Sequence, residues 1–193
     1  MRLQKIWLAL AVILGGCSAT ASRDDTSAFL APHLRLDLPR PMEMGRSVEA
    51  VQMLTAHHQG KTYVFEAHLS ITPDRVLLVG IDGMGQRIMT VTWRDNSVTM
   101  ESSPQLPKEF QPGAMLADIA VLYWPESVMR KTLAAAGADL VVDDKSRSVS
   151  ANGKEVLHAE YQSGSSQPWS GGLHYSNLAW GYDIDVVTVQ VQQ

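Results

Sequence analysis

Four kinds of side chain in this sequence could do chemistry: clustered histidines, an aspartate in an apolar run, serines in a polar loop, and a glycine-rich turn. His57-His58, His68 and His158 are nitrogen ligands in principle. Neighbours on a strand point to opposite faces, so His57 and His58 cannot both reach one ion, and no cysteine is free to join them. The spacing therefore predicts solvated or structural histidines and no metal. Asp118 lies between Ala117 and Ile119. Burial there would raise its pKa and suit it to acid–base work; otherwise it bonds backbone or pairs with a cation such as Arg87. Asp183 and Asp185 alternate on a strand-like run and are expected to face solvent. Ser165-Ser166 sits in a loop rich in turn formers, and no Gly-x-Ser-x-Gly elbow is present. Gly80-Ile81-Asp82-Gly83-Met84-Gly85 is followed by a strand pattern, whereas a phosphate cradle opens a helix. A hairpin turn is expected there. No catalytic constellation assembles from these residues, so the sequence predicts neither an enzyme nor a cofactor.

The remaining reactive group is the single cysteine, Cys17. It follows Arg2 and Lys5, an unbroken apolar run from Ile6 to Leu14, and Gly15-Gly16. Nine apolar residues are too few to span a bilayer, which takes about 20. A basic start, a short apolar run and small residues are the pattern of a secretory signal peptide over residues 1–16. Leu14-Gly15-Gly16-Cys17 is similar to the bacterial lipobox, in which the thiol is acylated and the cysteine becomes the new N-terminus. Each buried methylene contributes about 0.8 kcal/mol, and more than one chain makes a stable anchor. With Ser18 rather than aspartate next, the enterobacterial sorting rule implies the outer membrane, on its periplasmic face.

Composition narrows the rest. The chain has 193 residues, 45% hydrophobic and 19% charged, enough to bury a core. Its net charge is -4; removing Arg2 and Lys5 leaves 14 basic against 20 acidic residues, a net of -6. Nucleic-acid binding needs a basic footprint, which this chain lacks. One cysteine also excludes an intramolecular disulfide.

The elements that must position these residues follow from periodicity. Residues 18–28 read as a flexible tether, and 29–45, with Pro32, Pro39 and Pro41, as an extended or irregular lead-in. Five strands in short-turn succession are expected between Val48 and Ser102. Tyr63, Phe65, Ala67, Leu69 and Ile71 alternate with their neighbours, and Met89, Val91 and Trp93 share one face. Leu116, Ile119, Ala120 and Tyr123 have helical spacing; a second helix starts near Pro125 and stops at Gly137. Strands resume over Asp139–Asp143, Arg147–Ala151 and Lys154–Gln162, with an Asn152-Gly153 hairpin signal, and close over Trp169–Trp180 and Tyr182–Gln192. The expected fold is mainly β (α+β): a strongly curved antiparallel sheet, or half-barrel, of about ten strands with a two-helix insertion. Residues 46–193 form its single domain.

The order and spacing of several segments carry a family resemblance. They are Gln52 with its strand, Gly83-Met84-Gly85-Gln86-Arg87-Ile88, Met115-Leu116-Ala117-Asp118 and Leu122-Tyr123-Trp124-Pro125. Tyr161 and the stretch from Asn177 to Ile184 complete the set. The chain resembles an uncharacterised bacterial lipoprotein family, domain-of-unknown-function family 3261, with LolA/LolB-like architecture. That resemblance implies handling of an acyl chain at the cell envelope, the ligand being a lipid, a lipoprotein acyl group or a polyene, with a LolA-like carrier as possible partner. Candidate cavity walls are Tyr63, Phe65, Leu69, Met89, Val91, Trp93, Leu116, Ile119 and Trp124. The same residues would serve equally in a filled core. Met84 and Trp169 are candidate membrane contacts, since LolB-type receptors use a protruding apolar loop. The alternatives are an assembly lipoprotein that binds a protein partner around a filled core and, weakest, an acyl esterase.

Overall fold

The computed structural model describes residues 19–23, 27–104, 106 and 112–193. Strands β1 (Ala19–Arg23), β2 (Ser27–Ala31) and β3 (Leu34–Asp37) come first, followed by a short 3-10 turn, Pro41–Met44. A meander of five strands follows: β4 (Val48–His58), β5 (Lys61–Thr72), β6 (Arg75–Asp82), β7 (Arg87–Trp93) and β8 (Val98–Ser102). Helices α1 (Pro112–Tyr123) and α2 (Glu126–Ala135) come next. A second meander comprises β9 (Ala138–Val142), β10 (Ser146–Ala151), β11 (Lys154–Tyr161), β12 (Gly172–Asn177) and β13 (Tyr182–Gln192).

All main-sheet pairings are antiparallel, and the order is β1-β8-β7-β6-β5-β4-β13-β12-β11-β10-β9. After edge strand β1, the chain re-enters the sheet in the middle at β4 and runs outward to β8. The helices carry it to the opposite edge at β9, and it returns to the middle at β13. The seam between the meanders is the β4–β13 pair, from Tyr182 opposite His58 to Gln192 opposite Glu49. β1 and β9 do not pair with each other, so the sheet stays open.

Its curvature follows from contacts. Seven interstrand steps separate β7 from β10, which is about 34 Å in a flat sheet. Yet Trp93 of β7 stacks on Trp124 at 4.8 Å between ring centroids, and Arg147 of β10 hydrogen-bonds the Trp124 carbonyl at 2.8 Å. Only a strongly curled sheet brings both walls to one residue. The concave face is the apolar one: β4 buries Val48, Ala50, Gln52, Leu54 and Ala56 and turns the alternate residues outward. Helix α1 lies in this trough and is buried all round, because the β2–β3 hairpin covers its other side. That explains its composition, apolar on every face apart from Asp118. Helix α2 is amphipathic instead, burying Met129 and Leu133. Its Arg130 donates to the Leu140 carbonyl at 2.5 Å, which blocks part of the β9 edge.

The mainly-β fold, the five-strand meander, the paired helices and the αL glycine at Gly137 are as the sequence predicts. Three expectations need correction. Residues 19–23 form edge strand β1 rather than tether, pairing with β8. The stretch from Ser27 to Met44 is not an irregular lead-in: Leu30, Leu34, Leu36 and Met44 are buried in the common core, so the folded unit begins well before residue 46. The prolines that argued for an extended lead-in sit at the β2–β3 turn and around the 3-10 turn, where no ladder N–H is required. The penultimate strand is shorter than expected, starting at Gly172, and Trp169 lies in the preceding loop.

Candidate functional site

The sheet and α1 meet in one continuous apolar layer. Phe65 and Leu69 on β5, and Met89, Val91 and Trp93 on β7, all point into it and are buried. Leu116 on α1 and Trp124 at the α1–α2 turn close it from above, with Tyr63 and Ile119 partly buried at its margin. The structure thus brings all nine candidate wall residues into one cluster. Gly80 on β6 leaves room for the Met89 side chain on β7: a Cβ built on Gly80 would stand 3.0 Å from the Met89 Cγ.

Polar side chains from the sheet fix the end of α1. The Arg147 guanidinium, 5% exposed, donates to the carbonyls of Val121 (2.9 Å) and Trp124 (2.8 Å). The Tyr161 hydroxyl donates to Leu122 O at 2.9 Å. These are the carbonyls a helix leaves unpaired at its C-terminus, and a cation there also meets the negative end of the helix dipole. Gln52 Nε2 donates to the Tyr123 hydroxyl at 3.0 Å, while the Tyr123 ring stacks on Trp169 at 4.0 Å. Burial raises the pKa of both Tyr123 and Tyr161, so both stay neutral donors or acceptors.

Asp118 anchors the middle of α1. It is fully buried and accepts hydrogen bonds from Asn177 Nδ2 (2.9 Å) and from the Tyr182 hydroxyl. Asn177 also donates to Leu30 O at 3.1 Å, tying helix, sheet and hairpin together. Burial pushes the Asp118 carboxyl up to about 7, against the lowering effect of its hydroxyl and amide donors. Its partners are polar and neutral; Arg87, expected as a possible counter-ion, is exposed at the start of β7.

A surface groove of about 420 Å³ opens beside the helix turn, between Met44, Arg46, Pro125, Arg147 and Ser166, and Trp124 forms part of its wall. Trp124 therefore belongs to both the groove and the apolar layer.

Comparison with known proteins matches residues 49–190 to the family model "Protein of unknown function (DUF3261)". The chain belongs to the DUF3261 family. No curated protein matches it. The DUF3261 span runs from the start of β4 almost to the end of β13, and so takes in both meanders and both helices. The β2–β3 hairpin lies outside the match although it shares the DUF3261 core.

The other candidate residues of this DUF3261 chain fall elsewhere. Ser165 is buried, and its hydroxyl donates to Asp143 O at 2.5 Å. Asp183 and Asp185 face outward, bonded to Ser176 and His174. His57, His68 and His158 lie on the convex side, each beside a carboxylate, and His58 bonds Gly181 O. Among the described residues, no three of His, Cys, Asp and Glu are placed to hold a metal. Met84 is 82% exposed at the tip of the β6–β7 turn. Trp169 is 1% exposed, so it is not a membrane contact: its ring is spent on Tyr123. Cys17 lies outside the described residues. Sequence reasoning missed Arg147, which reads as an ordinary surface cation until its carbonyl partners are seen.

Proposed function

We propose that this protein is an outer-membrane lipoprotein, anchored through Cys17 and facing the periplasm, that binds an acyl-chain ligand without catalysis. The observation that supports it is the groove at the α1–α2 turn, whose wall Trp124 is also the roof of the apolar layer. A hydrocarbon entering there meets Trp93 and the β7 side chains after displacing the Trp124 ring, whose Nε1 donates to Arg40 O at 3.4 Å, and is bound by area at roughly 25 cal/mol per Å² removed from water. The ligand class is a lipid, a lipoprotein acyl group or a polyene, delivered or received by a LolA-like carrier.

The test uses the full acylated chain in mild detergent. Native mass spectrometry and lipid extraction should find a stoichiometric non-covalent acyl or polyene ligand. The ligand-free protein should take up the fluorescent polyene fatty acid cis-parinaric acid saturably, and Trp124→Phe should weaken that uptake several-fold. A clean mass with no saturable uptake favours the second reading, an assembly lipoprotein that binds a protein partner. What supports that reading is the near-complete burial of Trp93, Trp124 and Leu116.

A further inference from the structure

We propose that one rim of the sheet, centred on the β6–β7 turn, rests in the surface of the bilayer that holds the Cys17 anchor; this rests on the anchored reading above. The argument begins with register. Ala19 pairs with Ser102, and Ser102 pairs with Met89. The first residue of β1 is therefore two interstrand steps, about 10 Å, from β7. β1 and β7 are both antiparallel to β8, so the N-terminal end of β1 lies on the side of the sheet where β7 leaves its turn. Cys17 is two positions before Ala19, with only Ser18 between them, a reach of at most roughly 7 Å. The tip of the β6–β7 turn lies beyond the Asp82–Gln86 pair, on the order of 10 Å from the Ala19–Ser102–Met89 row. An anchored chain thus has no long spacer with which to hold this rim away from lipid.

The rim is built for such a surface. Asp82 accepts hydrogen bonds from the backbone N–H groups of Met84 and Gln86, both at 2.9 Å, and Gly85 takes the left-handed conformation at φ 79°. The turn is fixed by its own bonds and still presents Met84 at 82% exposure. An apolar side chain held out this way gains nothing from water and is ready for an acyl boundary. Arg87 stands exposed directly beside it, at headgroup depth for anionic lipid. Along the same rim, the β12–β13 turn presents Leu178, 54% exposed. At the opposite rim the turns after β5, β7, β9 and β11 carry none of the large exposed apolar residues; those nearest it are Met42 in the 3-10 turn before β4 and Val187 and Val189 on β13.

The experiment places a polarity-sensitive bimane label at Met84→Cys or, at the far end of β7, Asn96→Cys. Acylation consumes the Cys17 thiol, so each label is unique. The full acylated chain is reconstituted into vesicles of phosphatidylethanolamine and phosphatidylglycerol that carry a doxyl-lipid quencher. The label at 84 should shift to the blue and be quenched at least twofold more than the label at 96, and Leu178→Cys should behave like 84. Equal, water-like emission at 84 and 96 in vesicle-bound protein overturns the orientation while leaving the anchor standing. An intact mass without acyl chains on Cys17 overturns the anchored reading itself, and the orientation with it.

Discussion

Asp118 shows what one buried carboxyl does to a whole domain. An unfolded aspartate titrates near 3.8, whereas Asp118 holds its proton up to about 7 in the folded chain. Between those values the folded state binds the extra proton, so stability falls as pH rises from about 4 to about 7 and is level above. The loss is on the order of 2–4 kcal/mol. Asp118→Asn keeps an acceptor for Asn177 and removes the titration. Its thermal midpoint should exceed that of the parent at pH 8, and the decline between pH 5 and pH 8 should largely vanish. Arg147 acts in the opposite sense. Arg147→Met leaves the Val121 and Trp124 carbonyls buried without donors, and should cost about 2–4 kcal/mol in urea unfolding at neutral pH. Arg147→Lys should recover only part of that, because one ammonium can replace Nη1 at the Val121 and Trp124 carbonyls but not also Nη2, which donates to Ser165 O at 3.4 Å.

At the level of elements, α1 is held by side chains from β4, β10, β11, β12 and β13, and the β2–β3 hairpin presses it into place. The sheet was legible in the sequence because period-two alternation and Asn-Gly or Gly-containing turns are local signals. The wall residues were legible for the same reason: Phe65, Leu69, Val91 and Trp93 alternate with polar or less buried neighbours. The hairpin was not legible, because Ser27–Asp37 is short, Pro-containing and buried only through contacts with distant elements, α1, α2 and the β12–β13 region. Arg147 and the partners of Asp118 were hidden because such bonds join residues 26 and 59 or more positions apart, where no spacing rule reaches. The β11–β12 loop offers a test at this scale. A Cβ on Gly172 would lie 2.6 Å from the Gln162 amide, whose Oε1 accepts from Gly172 N at 3.0 Å. The amide is the free end of an exposed side chain and can swing aside, so Gly172→Ala should cost only that hydrogen bond, about 1 kcal/mol or less. Gln162→Ala should cost about the same and the double variant no more than either, measured as a double-mutant cycle.

Taken as a whole, the molecule is two meanders joined at one seam. β13 is the last strand made, yet it stands in the middle of the sheet between β4 and β12. Removing Tyr182–Gln192 should abolish cooperative unfolding rather than trim an edge, and the check is the loss of a single sharp urea transition. In the intact chain, amide exchange should be slowest in β4, β5 and β13 and fastest in β1 and β9, which have one neighbour each.

The central place of that last strand also sets a timetable for biosynthesis. The inner edge of β4 must wait for a partner that emerges more than 120 residues later. At 5–20 residues per second, that wait is about 6–30 s. Throughout it the nascent polypeptide exposes an unpaired strand with Leu54 and Ala56 on its apolar face, a natural docking place for a chaperone. The ordering of strands therefore delays completion of the fold until β13 has been made.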